Sequence, residues 1–488
     1  MKIKNKVALI STIVIIAVLL ILPGFAFSEK NTSDWTNWKA SWTTAKNDLE
    51  KIALTPGKNE NQLNFAWYSV IGGQAKVRLS IRKNLSDPIV YTGISKQYKQ
   101  LNGVRYYSNT VTASSLRQNT IYYYQYFVDG KWSKTKKYTT QNPDNFTILY
   151  VGDPQIGASV GQIASDTGLV LTADQACERD SFNWNNTLEQ ANKAFPRLSF
   201  ILSAGDQINE TEKNRTQEQD ALQEMQYSGF LSPRLMTSLP VATTIGNHDS
   251  TTSNYQNHFN NPNAQARSAT SSPAGTDYYF TYGKILFVFL DTNNMNCKEH
   301  EKTLQKAISE NPKIKWRIVT FHQDIYGSGM AHSATDGMLL RTQLTPLMDK
   351  YDIDVVLQGH DHTFSRSYQI TGDGNKHKAY DAMVNLSDPI SRAEFIKQNE
   401  CYKIVTEKKD RNVYEVKNPK GVLYMDANSS TGSKFNDLIN PMQDYIAARY
   451  QEREPSYSII HIVGGSLSIK TYNADTGHKI DQYTILKS

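Results

Sequence analysis

Phe146-Thr147-Ile148-Leu149-Tyr150-Val151-Gly152-Asp153-Pro154-Gln155 is an apolar, β-branched and aromatic run that stops at a glycine and then presents a carboxylate. Six such residues bounded by Gly and Pro read as a strand buried on both faces, the kind found in parallel sheets. The arrangement returns along the chain. Gly205-Asp206-Gln207-Ile208-Asn209 follows Leu198–Ser203, and Gly246-Asn247-His248-Asp249 follows Val241–Ile245. His322 ends the run Trp316–Phe321, and Gly359-His360-Asp361-His362 follows Val355–Leu357. A further buried-strand candidate is Ile285–Leu290, and helical stretches such as Leu188–Ala194 and Glu299–Glu310 lie between strands. Alternating strands and helices predict a layered α/β domain over residues 144–488.

The residues at these strand ends decide the chemistry. Asp153, Asp206, Asn247, His322, His360 and His362 supply two carboxylates, a carboxamide and three imidazoles. Ligands at the carboxyl ends of neighbouring strands converge in the crevice there. A single Gly-Asp or Gly-His pair is usually a turn, but the series together holds enough donors for two metal ions side by side. Oxygen and imidazole donors without thiolate suit Mn, Fe or Zn. A polar stretch from about Gly372 to Lys420 reads as an excursion, and strands near Tyr457–Val463 and Leu467–Tyr472 close the fold.

Upstream the pattern changes. Leu63–Tyr68, Lys76–Ile81, Val104–Val111, Thr120–Val128 and Lys136–Tyr138 read as short strands, with Gly72-Gly73 and Asp129-Gly130 as turns. They predict a small all-β sandwich over residues 54–143, ending at the punctuation Asn142-Pro143-Asp144. Trp35, Trp38, Trp42, Ala45, Leu49 and Ile52 draw one stripe along an amphipathic helical segment, residues 29–53. That stripe fits docking on the following domain or, beside a membrane anchor, the lipid interface.

Residues 1–28 combine Lys2, Lys4 and Lys6, the uncharged run Val7–Leu22, and Ala26-Phe27-Ser28. They read as a secretory signal cut after about Ser28 or as a retained membrane anchor. Either way the body is expected outside the cell, secreted or anchored to the outer face of the membrane. At 488 residues, 39% hydrophobic and 11% aromatic, the chain is long and apolar enough for more than one packed core, which excludes global disorder. The formal charge of +6 is scattered, with no basic block interleaved with aromatics, so no nucleic-acid binding is expected. Cys177, Cys297 and Cys401 form no C-x-x-C pair, which leaves room for one disulfide in an exported protein but no zinc knuckle.

The series of motifs resembles the calcineurin-like metallophosphoesterase superfamily, and within it the purple acid phosphatase-like branch with an N-terminal fibronectin-III-like domain. Thr55-Pro56-Gly57 and Tyr122-Tyr123-Tyr124 carry the likeness in the sandwich. The resemblance implies a layered β-sandwich core with helices outside and a site holding two divalent transition metals. It implies that Asp153, Asp206 and His362 hold one ion and that Asp206, Asn247, His322 and His360 hold the other. His248 matches the family's phosphate-contacting or leaving-group-protonating histidine, with Asp249 placed either to orient it or to cap the next turn. His332 matches a substrate-binding loop histidine, and Tyr326 and Arg366 are further candidates for contact with substrate or with the ligands.

Two positions depart from the family. Purple acid phosphatases place a tyrosine ligand three residues after the bridging aspartate, where this chain has Asn209. Other members carry a histidine two residues after the first aspartate, where this chain has Gln155. Both are candidates for additional ligands of the first metal, and both favour a colourless divalent pair over a ferric one. The expected activity is hydrolysis of small phosphate monoesters by a metal-activated hydroxide, of the acid phosphatase type. The alternatives are a phosphodiesterase acting on nucleotides or cell-envelope diesters, and an envelope-binding module with a degenerate site.

Overall fold

The computed structural model describes residues 32–211, 216–333, 335, 337–377, 394, 400–406 and 414–488. The signal or anchor segment and most of the excursion after Gly372 lie outside them.

The N-terminal strands build two facing sheets. One runs Ala53–Pro56, Leu63–Ser69, Val104–Ala113, Ile94–Leu101; the other centres on Lys76–Ser80 and Ile121–Val128. Ile121–Val128 buries every second residue, as a strand with one covered face must. Phe65, Trp67, Val77, Val111 and Tyr124 fill the space between the sheets. The exposed strands Ile89–Thr92 and Ile94–Leu101 carried too little hydrophobic alternation to be expected from sequence.

The second domain is a sandwich of two mixed sheets. The first orders its strands Val241–Thr243, Leu198–Ser203, Asn145–Val151, Ser456–Val463, Ser466–Asn473, Lys479–Leu486, Glu415–Lys417. The second runs Tyr278–Tyr282, Ile285–Leu290, Trp316–Phe321, Val355–Gln358, Val422–Asp426, Phe364–Gly372, Tyr402–Ile404. Within each sheet the ligand-bearing strands are parallel, so their carboxyl ends lie side by side. Ile148, Phe200, Phe287, Ile318, Leu423 and Ile460 pack between the sheets. Helices Ala173–Ala194 and Gln217–Phe230 cover the outer face of the first sheet; Cys297–Glu310 and Gly337–Lys350 cover that of the second. Capping boxes start the first two helices, Thr172 with Gln175 and Thr216 with Gln219.

Three expectations need correction. The tryptophan helix ends at Ala45, and Trp35 and Trp42 are buried against the second domain rather than free for lipid. Trp42 Nε1 donates to Asp174 Oδ1 at 3.0 Å, and the Trp35 and Phe182 rings lie 5.0 Å apart. All three cysteines are buried and free, so no disulfide forms. Val422–Asp426, assigned to no element by the sequence, is a central strand flanked by Val355–Gln358 and Phe364–Gly372.

The two domains meet through a buried polar cluster. Lys99 of the sandwich pairs with Glu224 at 2.6 Å and Asp220 at 2.9 Å, and His258 Nε2 lies 2.8 Å from Glu224 Oε2. Burial alone would raise the Glu224 carboxyl, but His258 and Lys99 outweigh it and hold it down at about 2. A depressed carboxyl stabilises fully above its unfolded value of about 4.3 and loses that contribution as pH falls through its folded value. The stability gap between wild type and Glu224→Gln is therefore expected to be constant above pH ~4.3 and to shrink from there toward pH ~2. Denaturation midpoints of both proteins across that range test it; a gap independent of pH rules the ion cluster out.

Candidate metal centre

Each ligand sits one to four residues past the end of a strand, where the chain must turn sharply. Asp153, Gln155, Asp206, His360 and His362 all adopt left-handed backbone, with φ of 42°, 37°, 49°, 76° and 51°. Non-glycine residues reach that region at a cost, and such strain concentrates at functional sites. The preceding glycines let the turns interlock. A Cβ on Gly246 would collide with the Asp206 carboxylate, and one on Gly359 would come within 2.6 Å of Asp153 Oδ2.

The six expected ligands converge. Ligand atoms of Asp206, His322 and His360 lie within 4.8 Å of one another. His322 Nε2 is 3.0 Å from Asn247 Oδ1, 3.3 Å from Asp206 Oδ1 and 4.0 Å from Asp153 Oδ1. His362 Nε2 is 3.7 Å from Asp153 Oδ1. Five of the six are buried, each no more than 4% exposed. His322 Nδ1 and His362 Nδ1 face the carbonyls of Ala204 and Lys434 at 3.0 and 2.9 Å. Those contacts place the proton on Nδ1 and aim the Nε2 lone pairs inward, as metal ligation demands.

The electrostatics suit cations. Burial pushes the Asp153 carboxyl up to about 7, with His322 opposing and Asp206 adding to the rise. For Asp206 burial acts upward, but His322 and His248 overcome it and hold the carboxyl far below its usual range. Burial would lower His322, yet Asp206 and Asp153 draw it up to about 9. Burial and then Lys434 keep His362 well below its ordinary value. The lowered Asp206 and the raised His322 mark a centre whose carboxylates draw positive charge inward. Gln155 Oε1 is buried with no hydrogen-bond partner, an orphan acceptor that a cation or its water would satisfy. The residues fit a pair of divalent ions.

The flanking residues divide. His248 lies at the centre: its Nε2 is 3.7 Å from Asp206 Oδ2 and 2.8 Å from Gln155 Nε2, and its Nδ1 bonds the Asn209 carbonyl. Asn209 thus serves His248 through its backbone. The His332 ring lies against His360, tilted by 32° with centroids 3.6 Å apart. Asp249 does not orient His248. It is buried and turned away, accepting from Gly246 N–H at 3.0 Å, Gln207 N–H at 3.3 Å and Tyr227 hydroxyl at 3.0 Å, and so braces the turn. Tyr326 is fully buried among Tyr402, Tyr424 and Tyr445, its hydroxyl 3.0 Å from Thr345 Oγ1. Arg366 lies between the sheets, bonded to Asp481 at 2.6 and 3.1 Å. Neither joins the metal centre.

Other supports were not foreseen. Asp361, between two ligands, accepts the N–H groups of Gly329, His332 and Ser333 at 2.6, 3.1 and 3.3 Å, and so fixes the loop that carries His332. After the strand Val422–Asp426, Ser429 and Thr431 hydroxyls donate to the carbonyls of Asp153 and Pro154 at 3.2 and 2.8 Å. The run Asn428-Ser429-Ser430-Thr431-Gly432 after an apolar stretch was the available signal.

Residues 146–364 match the sequence pattern of a calcineurin-like phosphoesterase domain, preceded at residues 49–140 by a match to a purple acid phosphatase N-terminal domain. Among solved structures, this protein is similar to the purple acid phosphatase from yellow lupin (Lupinus luteus) seeds, with a TM-score of 0.59 and 13% identity over 90% of this chain and 74% of that one. It is also similar to PhoD, with a TM-score of 0.51 and 12% identity over 89% and 92%. Those likenesses are of fold. Uncharacterized proteins from two strains of Mycobacterium tuberculosis are each 25% identical over 158 residues, 27% of this chain and 29% of theirs. The chain therefore spans less than a third of the curated relatives it matches.

Proposed function

We propose that this protein is an exported hydrolase of small phosphate monoesters, working with two divalent transition metals drawn from Mn, Fe and Zn. The observation that carries the reading is the pairing of six converging donors with two histidines, His248 and His332, at the same centre. Asp153, Asp206 and His362 would hold one ion and Asp206, Asn247, His322 and His360 the other; when bound, the pair polarises phosphoryl oxygens and acidifies a water.

The protein's own groups do the rest. His248 Nδ1 is engaged by the Asn209 carbonyl, so Nε2 is the atom facing the centre; it accepts from the Gln155 amide, and it would carry a proton to the departing alcohol once substrate displaces that amide. Such an acid contributes roughly 10²–10⁴-fold. His332, held by Asp361 through its N–H at 3.1 Å, offers a second imidazole contact for a dianionic monoester. The basic, then apolar start of the sequence supports export. The scattered charge supports a small phosphorylated substrate over nucleic acid.

Stripped protein reloaded with Mn, Fe or Zn is expected to cleave an aryl phosphate faster than its bis-aryl diester. A clear diester preference overturns the monoesterase reading. Absence of hydrolysis with all three metals overturns the enzyme reading in favour of a binding module.

A further inference from the structure

Residues 161–171 fold into a short tongue beside the metal centre. Ile163 bridges Val170 antiparallel, Ala164 N–H donates to Leu169 O, and Leu171 N–H donates to Gln162 O, the latter two at 2.9 Å. One face is buried, with Ala164 and Leu171 packed on Ala176 of the helix Ala173–Ala194. Its other aliphatic side chains are open to solvent. Ile163, Leu169 and Val170 are 64%, 64% and 62% exposed, and Val160 at the base is 46% exposed. Single exposed hydrophobics are ordinary, but four within eleven residues is a local concentration of the kind found at interaction surfaces.

The position of the tongue selects its occupant. At its tip Asp166 accepts from Arg179 Nη2 at 2.6 Å, and the Arg179 guanidinium lies 5.2 Å from the Trp35 ring. Trp35 stands in the first turn of the helix Thr32–Ala45, so tongue and helix start are held through one shared side chain. The uncharged run Val7–Leu22 ends ten residues before Thr32, which limits their separation to about 35 Å of extended chain. Trp35 itself is buried in the fold, so the exposed aliphatic side chains are what is left to meet a partner, and the run Val7–Leu22, where it is retained as an anchor, puts a bilayer within that reach.

We propose that the tongue is a membrane-contact element: Val160, Ile163, Leu169 and Val170 enter the interfacial layer of a phospholipid bilayer next to the apolar run. The tongue is joined to the segment that supports His362. Gln162 Nε2 donates to the Ser433 carbonyl at 2.7 Å, and the adjoining Lys434 carbonyl engages the ligand His362. This docking stands independently of the reaction catalysed.

The test uses the full chain with Val170→Cys, labelled with an environment-sensitive fluorophore and reconstituted into phosphatidylcholine–phosphatidylglycerol vesicles. The native cysteines are buried, so the introduced thiol labels selectively. Ile89→Cys, on an exposed strand of the sandwich at 61% exposure, is the control for the rival apolar surface. Expected is quenching by spin-labelled lipid about twofold or more above the control, lost when Ile163→Asp and Leu169→Asp are added while circular dichroism is unchanged. Equal quenching at the two sites overturns the proposal, as does a label at 170 that stays aqueous on vesicles. Shielding that follows protein concentration rather than lipid also overturns it and assigns the tongue to a second copy of the chain.

Discussion

Asp206→Asn is expected to lower kcat/KM by at least about 10³-fold, the equivalent of roughly 4 kcal/mol of transition-state stabilisation. On the proposed assignment Asp206 is the ligand shared by both ions. Its Oδ1 lies 3.3 Å from His322 Nε2, its Oδ2 lies 3.7 Å from His248 Nε2, and its Oδ1 accepts the His248 N–H at 3.0 Å. An amide keeps the shape but removes the charge that His322 and His248 stabilise so strongly. Both ions lose a ligand, and bound metal is expected to fall below two per chain while the fold is retained. Elemental analysis beside steady-state kinetics on an aryl phosphate checks both outcomes. Turnover within tenfold of wild type would remove Asp206 from the centre.

The ligand set was legible because its strands are covered on both faces. Leu198–Ser203, Ile285–Leu290 and Trp316–Phe321 begin and end where their apolar runs do. Donor residues directly after such runs have only one place to go. Val422–Asp426 escaped because it follows a long polar stretch, and both its partners are distant in sequence. The left-handed backbone of Asp153 and His362 left no mark in residue type. The supports supplied by the Ala204, Asn209 and Lys434 carbonyls are equally silent, because any residue carries a carbonyl. Tyr326 was misjudged by proximity in sequence alone. It follows His322 by four residues, yet its ring fills the layer between the second sheet and its helices.

Arg366 fails for a reason that yields a second large effect. Phe364 points into the core between the sheets, and side chains two apart on a strand share a face. Arg366 therefore points away from the metals and meets Asp481 of the opposite sheet, with its guanidinium 4.5 Å from the Tyr483 ring. The two side chains are 3% and 8% exposed, so removing the arginine strands a carboxylate in the core. Arg366→Met is expected to cost about 3–5 kcal/mol of stability, the usual penalty for an uncompensated buried charge. Adding Asp481→Leu removes that charge, and the double variant is expected to recover most of the loss. The catalytic rate per folded molecule should be unchanged in both, since no atom of the pair approaches a ligand. Urea titrations and kinetics well below the midpoint separate the two roles. Undiminished stability with a collapsed kcat would return Arg366 to the phosphate.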